Sequence, residues 1–258
     1  MKKYIFIGVG AVAVGVVVLI ALAILNLGSL IKTVTEEYGP QITKTDVRLD
    51  SADISILSGS GSLSGFLLGN PKGYTMPSAV ECDTIRVKVV KDSLTTDKII
   101  IEEIFIDGPV ISYEKKGSTD NFKTIVNNIN QTVAGEKKAA KSEKTGETGQ
   151  SDAGKTIQIN NFIVTNGKIN IGGSLLNTFG DGGVGIALPD LHLKDIGKDK
   201  ETSPAQAFAI VLEKMTGDIT GSITQVGQKL KKSLGKAVEG VTGGSDSVGK
   251  AVKGLFGD

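Results

Sequence analysis

The chain has its clearest strand pattern in DTIRVKVVKDSLTTDKIIIEEIFIDGPVISYEKK, residues 83–116. The first residues of this stretch alternate between apolar and polar side chains, and the apolar ones are Ile85, Val87 and Val89. Alternation with a period of two predicts a half-buried β-strand. The apolar runs that follow predict two more strands. Asp107-Gly108-Pro109 separates these two strands because proline cannot donate to a β-ladder.

Strand patterns continue on the N-terminal side of this stretch. Val47 and Leu49 alternate with polar residues, and Ile54 and Ile56 do so as well, but the second pair has the opposite parity. The change of parity predicts a bulge near Ser51-Ala52.

The chain then changes from strand to helix spacing. Residues 121–133 carry apolar side chains on one helical face, with Asp120 before them as a cap: Phe122, Ile125, Ile129 and Val133. Residues 134–155 contain no Ile, Leu, Val, Met or aromatic residue. They cannot bury enough apolar surface to offset chain entropy, so the sequence predicts a disordered loop there.

Strand patterns resume at Lys155 in KTIQINNFIVTNGKINI, residues 155–171. Asn166-Gly167 between two apolar runs predicts a type I′ hairpin. A further strand is predicted where Leu191 and Leu193 alternate with Asp190, His192 and Lys194. Ser203-Pro204 is typical of a helix start, and the sequence predicts a helix from there to about Met215.

A second amphipathic helix is predicted in the Gly-rich C-terminal region. Its apolar residues recur at intervals of three or four, at Val226, Leu230, Leu234, Val238 and Val241. Most of its lysines lie off this stripe. Such a helix can lie on an anionic membrane or bind a partner protein, or it can pack back onto the sheet.

The N-terminus predicts a membrane anchor. Lys2 and Lys3 precede 22 residues without a charge, Tyr4 to Leu25. A helix of this length is about 33 Å long, enough to cross a ~30 Å hydrocarbon layer. Positive-inside bias places the lysines in the cytoplasm and the rest of the chain on the far side. The residues expected within the membrane include Ile5, Val12, Val18 and Leu22.

Two other interpretations of this segment are possible. A signal peptide cleaved near Ala21-Leu22-Ala23 would also export the chain, although the apolar run is longer than a typical signal core. GVGAVA, residues 8–13, matches a dinucleotide-binding fingerprint. That motif requires an amphipathic helix after it, whereas here the apolar character continues on all sides.

The composition disfavours several functions. The chain has 29 basic and 28 acidic residues and a net charge of +1, which argues against nucleic-acid binding. It has one histidine, His192, and one cysteine, Cys82, so no disulfide, thiol metal pair or nucleophile–base pair is indicated. We expect no catalytic residue, metal or cofactor.

Four segments resemble motifs of the AsmA-like family of exported bacterial membrane proteins. Gly65 to Tyr74, GFLLGNPKGY, resembles that family's G-L-x-I-x-N-P-x-G-(F/Y) turn, and Ser93-Leu94 and Ile104 to Glu114 resemble the elements that follow it. LPDLHLKDIG, residues 188–197, resembles a later recurring element. The resemblance covers about residues 40–200, but well-studied members are several times longer.

The resemblance implies a fold and a function. It implies an anchor in the bacterial inner membrane, a periplasmic body, and a curved antiparallel sheet whose apolar trough contacts phospholipid acyl chains, as in bridge-like lipid transfer proteins. The residues expected to contact lipid are Phe66, Leu68, Ile85, Val87, Val89, Ile104 and Ile106. An ordinary hydrophobic core is the alternative for each of them. At the level of function, the alternative to lipid handling is a scaffold or assembly factor that binds another envelope protein, through the sheet edge or the C-terminal tail.

The expected organisation is therefore mainly β with flanking helices. It comprises an anchor in residues 1–31, a first β block with one helix in 32–133, and the loop in 134–155. A second block of the same sheet follows in 156–200, and C-terminal helices in 201–258.

Overall fold

The computed structural model describes residues 27–143, 155–173 and 186–239. It is mainly β, with one curled, half-barrel sheet and three helices. The helices are α1 (Leu27–Thr43), α2 (Asn121–Glu143) and α3 (Pro204–Glu239). The eleven strands are β1 (Val47–Arg48), β2 (Ser51–Ser55), β3 (Ser60–Gly69), β4 (Ser78–Val89), β5 (Lys98–Asp107), β6 (Val110–Lys116), β7 (Thr119–Asp120), β8 (Thr156–Thr165), β9 (Lys168–Gly173), β10 (Ile186–Ala187) and β11 (Leu191–Ile196).

The sheet is mixed, so the prediction of an antiparallel sheet is wrong. β5 pairs with β8, and β6 pairs with β9, in parallel. The other pairings are antiparallel. The physical reason is the long connection that contains α2. This connection returns the chain to the end of the sheet at which β5 began, so that β8 can run parallel to β5.

Successive short strands form the two halves of longer strands: β5 and β6 form one, and β8 and β9 form another. β4 pairs with β5 near its C-terminus and with β6 near its N-terminus, and both halves keep one register. In the same way β8 and β9 follow β5 and β6 without a change of register. The halves meet along one line across the sheet. We name this line the bend row, and its mutually opposite residues are Asp50, Gly65, Asp83, Gly108, Asn166 and Pro189.

The bend row adds one residue to every long strand at the same level. Inward-facing side chains are separated by three residues across it instead of two, as in the step from buried Val164 to buried Gly167. Three of its members have left-handed backbone: Gly65 and Gly108 at φ 64° and Asn166 at φ 54°. Because every strand carries the extra residue, the register survives and the sheet bends as a whole. The parity change predicted near Ser51-Ala52 belongs to this row, at Asp50.

The hairpin predicted at Asn166-Gly167 is wrong, because this dipeptide is a bend. A type I′ turn requires positive φ at both central residues, and only Asn166 has it. The chain continues in the same direction from β8 into β9, and the Lys168 N–H donates to the Pro109 carbonyl at 2.9 Å.

The helix caps follow the sequence pattern, while the helix ends do not. The Asp120 carboxylate accepts from the Lys123 N–H at 2.8 Å, and Ser203 exchanges two hydrogen bonds with Gln206 at the start of α3. α2 continues to Glu143, through ten residues of the predicted loop, because alanine, lysine and glutamate favour helix even without apolar neighbours. The remaining loop residues 144–154 lie outside the described residues.

The two predicted C-terminal helices are one helix, α3. Ile219 and Ile223 continue the apolar stripe between Met215 and Val226. Gly217 and Gly221 lie on the exposed side, where each costs only about 1 kcal/mol relative to alanine. Side chains beyond Lys229, among them Leu230, Leu234 and Val238, lie outside the described residues, as does Val241.

Helix α1 was not predicted. It packs beside β1 and β2, and the boundary expected at residue 31 falls inside it. Among the described residues, no helix has the length and apolar character needed to cross a bilayer. The predicted anchor, with Ile5, Val12, Val18 and Leu22, lies outside the described residues.

Candidate functional site: an apolar cavity under the sheet

An apolar cavity lies between the concave face of the sheet and α3. Its volume is about 270 Å³. Strands β3, β4, β5 and β8 supply its floor, and the first three turns of α3 cover part of it. Among the described residues that line it, none carries a charge, and Thr35 supplies the one hydroxyl group. The arrangement can therefore hold an apolar group, but it offers no ionic contact to a polar one.

Six of the seven residues predicted to contact lipid line this cavity: Phe66, Leu68, Ile85, Val87, Ile104 and Ile106. Val89 does not belong to the lining. Val89 is half-buried like Val87, and the ladder between β4 and β5 shifts register next to it, between Lys88 and Val89.

The cavity is closed at one end and open at the other. At the closed end Leu49 and Leu68 are completely buried, next to the side where α2 packs on the sheet. Toward the other end the lining side chains become half-buried, and these are Leu63, Val87, Ile104, Ile157 and Phe208. We name this half-buried group the mouth. The concave face is thus a packed core at one end and a cavity at the other.

Sequence reasoning missed the half of the lining that comes from β8 and α3. On α3 the lining includes Phe208, Leu212 and Met215, whose spacing of four and three is a helical stripe visible in the sequence. On β8, Ile157 and Ile159 are followed by Phe162 and Val164 with changed parity, a second bulge at Asn160-Asn161. These patterns indicate an apolar face on β8 and another on α3. They do not indicate that the two faces lie against the same cavity.

The motif GFLLGNPKGY has a structural role at the closed end. The Asn70 amide donates to the carbonyls of Met76 and Ser78 at 2.8 Å, which holds the loop that follows β3. Buried Asn121 donates to the Asn70 side-chain oxygen and to the Ser112 carbonyl, both at 2.7 Å. The motif therefore stops the apolar strand by fixing its turn to the start of α2.

Glu114 is the last residue of the motif Ile104 to Glu114, and it fixes the same loop. It is buried, and its carboxylate accepts from the N–H groups of Thr75 at 2.7 Å and Met76 at 3.0 Å. Its own N–H donates to Asn121 at 3.1 Å. The two motifs, separated by about 40 residues in the sequence, are thus joined into one buried hydrogen-bond network through Asn121.

The candidate reactive groups are isolated. His192 is exposed and its Nε2 lies 2.8 Å from the Asn161 side-chain oxygen. Cys82 lines the cavity, and its burial, followed by the nearby charges of Asp83 and Glu81, raises its pKa to about 12. The thiolate nucleophile is therefore suppressed at neutral pH. Within the described residues no group of three or more His, Cys, Asp or Glu side chains forms a metal site.

Together the fold and the cavity define a mainly β protein that encloses an uncharged apolar cavity beneath a curled sheet. Comparison of the chain with protein-family models, curated proteins and solved structures gave no match.

Proposed function

We propose that this chain is a short AsmA-like protein of the bacterial inner membrane that handles lipid, and that its cavity is a trough for a phospholipid acyl chain. The observation that carries the proposal is the character of the cavity: a wall of aliphatic and aromatic side chains, no lining charge, and a half-buried mouth. An acyl chain requires such surroundings because it gains free energy in proportion to the apolar area removed from water.

The cavity is long enough along the strands for one acyl chain. Val80 and Val87 on β4 both line it, and at ~3.3 Å per residue the strand between them spans about 23 Å. An acyl chain in one leaflet occupies about 15 Å, half of the ~30 Å hydrocarbon layer. An acyl chain can therefore lie along the strands from the mouth toward the closed end, while its polar headgroup stays outside.

The sequence motifs support the family proposal. The turn that resembles the AsmA-like motif directly follows Leu68, and the motif Ile104 to Glu114 includes the lining residues Ile104 and Ile106. Both motifs thus shape the cavity and close one of its ends. On this proposal the chain is anchored by residues 4–25, with its body in the periplasm and without catalytic, metal or cofactor chemistry.

A photo-crosslinking experiment on the full-length protein in native membranes tests the function. A photoreactive amino acid at Ile104 faces the cavity, and one at the next residue, Phe105, faces the opposite side of the sheet, where Arg86 lies over the ring at 4.3 Å. We expect phospholipid crosslinks from position 104 and not from position 105. A folded protein that gives no lipid crosslink from position 104 would refute the proposal.

The substitution Val87→Glu sharpens this test. Val87 is half-buried at the mouth, so water can reach the new carboxylate and the protein should stay folded, while the charge expels the acyl chain. We expect crosslinking from Ile104 to fall at least about tenfold, since an unpaired charge in an apolar site costs several kcal/mol. Thr84→Glu, an exposed position on the same strand, is the control that should leave crosslinking unchanged. If Val87→Glu unfolds the protein, the mouth is an ordinary core.

One observation favours the second candidate, an assembly factor for another envelope protein. Leu30, Val34 and Tyr38 form an exposed apolar stripe on α1, at spacings of four. A protein partner would cover such a stripe. In this case a chemical crosslinker should join the chain to a partner protein of defined mass. The double substitution Leu30→Ser with Val34→Ser should abolish that protein crosslink and leave the lipid crosslink from Ile104 intact.

A further inference from the structure

The hairpin between β2 and β3 carries the most exposed of the large apolar side chains that the structure describes. Leu57, at the tip of this hairpin, is 89% exposed. Val90, 36% exposed, follows β4 directly beside the tip, where the Val89 N–H donates to the Gly59 carbonyl at 2.7 Å. The side chain of Lys91 donates to the Leu57 carbonyl at 2.9 Å, so the tip is held in place. We name Leu57 and Val90 the apolar rim.

The apolar rim lies at the same end of the sheet as the mouth of the cavity. Val87, in the mouth, is on β4 only three residues before Val90. Gly61, on β3, pairs with Val87, so the hairpin tip projects beyond the level of the mouth. A surface that contacts the apolar rim therefore also faces the mouth of the cavity.

Helix α1 leads the chain to this end as well. Its C-terminal residue Thr43 lies at the closed end, where its carbonyl accepts from Asn128 at 2.8 Å. Along the helix toward its N-terminus, Glu36 accepts from the Leu49 N–H at 3.2 Å, and Gly28 lies against Ala52. α1 is thus antiparallel to β1 and β2, and its first residue, Leu27, points toward the rim. Residues 4–25, the uncharged run of 22, precede it directly in the chain.

We propose that the apolar rim rests on the outer surface of the bilayer that holds residues 4–25, so that the mouth of the cavity opens onto the lipids of that leaflet. The proposal rests on the proposed function for the claim that lipid enters the cavity. It rests on the course of α1 for the position of the membrane. Exposed leucine and valine side chains gain free energy at such an interface in proportion to the apolar area they bury. The contact depends on apolar area, so adding salt should not release it.

The test uses the full-length protein in phospholipid nanodiscs, with Cys82→Ala to remove the native thiol. Leu57→Cys is labelled with an environment-sensitive fluorophore, and Ser118→Cys, an exposed turn residue beyond β6 at the closed end, is the matched control. We expect a blue-shifted emission at position 57 and loss of its fluorescence when spin-labelled phospholipid is included, at low and at high salt. Position 118 should keep the emission of a label in water and its full intensity.

Two results would overturn the proposal in a folded protein. One is a water-like, unquenched label at position 57. The other is a blue-shifted label that spin-labelled lipid does not quench, because this means that a protein or a second copy of the chain covers the rim. Crosslinking from Ile104 is measured on the same samples. Lipid crosslinks with an unquenched rim refute only the docking, whereas a quenched rim without lipid crosslinks refutes only the proposed function.

Discussion

The closed and open ends of the half-barrel are built from the same strands but differ in what covers them. At the closed end, α2 presses Phe122, Ile125 and Ile129 onto the sheet, all completely buried, and the network around Asn121 fixes the surrounding loop. At the open end α3 covers the sheet only partly, and the side chains of the mouth stay half-buried. One apolar face thus has two parts: the closed end is a packed core that stabilises the fold, and the open end keeps a cavity whose side chains remain accessible.

The largest expected effect compares two phenylalanines, one in the packed core under α2 and one in the wall of the cavity. Phe122→Ala should lower the free energy of unfolding by about 3–5 kcal/mol, because it leaves a cavity in a completely buried core. Phe66→Ala, at a half-buried position that already faces the cavity, should cost less than about 2 kcal/mol. Denaturant unfolding followed by circular dichroism measures both values.

The same pair of variants separates stability from binding. If the cavity holds an acyl chain as proposed, Phe66→Ala should weaken lipid crosslinking from Ile104 more than its small loss of stability explains, since it removes part of the cavity wall. Equal losses of stability for Phe66→Ala and Phe122→Ala would mean that Phe66, like Phe122, lies in packed core.

A smaller effect is expected in the bend row, which separates the two ends. Gly65 and Gly108 share a φ of 64°, so alanine at either position costs about 1–2 kcal/mol of backbone strain. A side chain at Gly108 meets open space, whereas one at Gly65 would lie 2.8 Å from the Asp50 β-carbon. We therefore expect Gly65→Ala to be the more destabilising by at least about 1 kcal/mol, by the same unfolding measurement. Equal costs would mean that the strands relax independently and that the row is not a rigid unit.

Local patterns predicted most of the long strands, the caps at Asp120 and Ser203, and the inward face of β4, because each of these depends on neighbouring residues. The same local information misread Asn166-Gly167, since one left-handed residue suits a bend as well as a hairpin, and pairing with β6 decides between them.

The cavity itself could be predicted only in part. Four of its lining residues, Ile85, Val87, Ile104 and Ile106, were predicted from the patterns of β4 and β5, and Phe66 and Leu68 from the motif that resembles the AsmA-like turn. The contributions of Phe208 and Phe162 depend on where α3 and β8 are placed by contacts distant in sequence. The division into a closed and an open end depends on how far each helix covers the sheet, and periodicity carries no information about that.

The smallest expected effect uses Cys82, which lies on β4 between the two ends. Because burial raises its pKa to about 12 from an ordinary value near 9, the folded state keeps the thiol protonated where the unfolded state ionises. The unfolded state then binds fewer protons, so this thiol lowers stability as the pH rises above about 9. We expect wild type to lose about 1 kcal/mol more than Cys82→Ala between pH 8 and pH 10, a difference that excludes the titration of lysines and tyrosines common to both. Maleimide should react with Cys82 only after unfolding at pH 8. Rapid reaction in the folded protein would mean that water fills the cavity as far as Cys82, and the closed end would then begin beyond it.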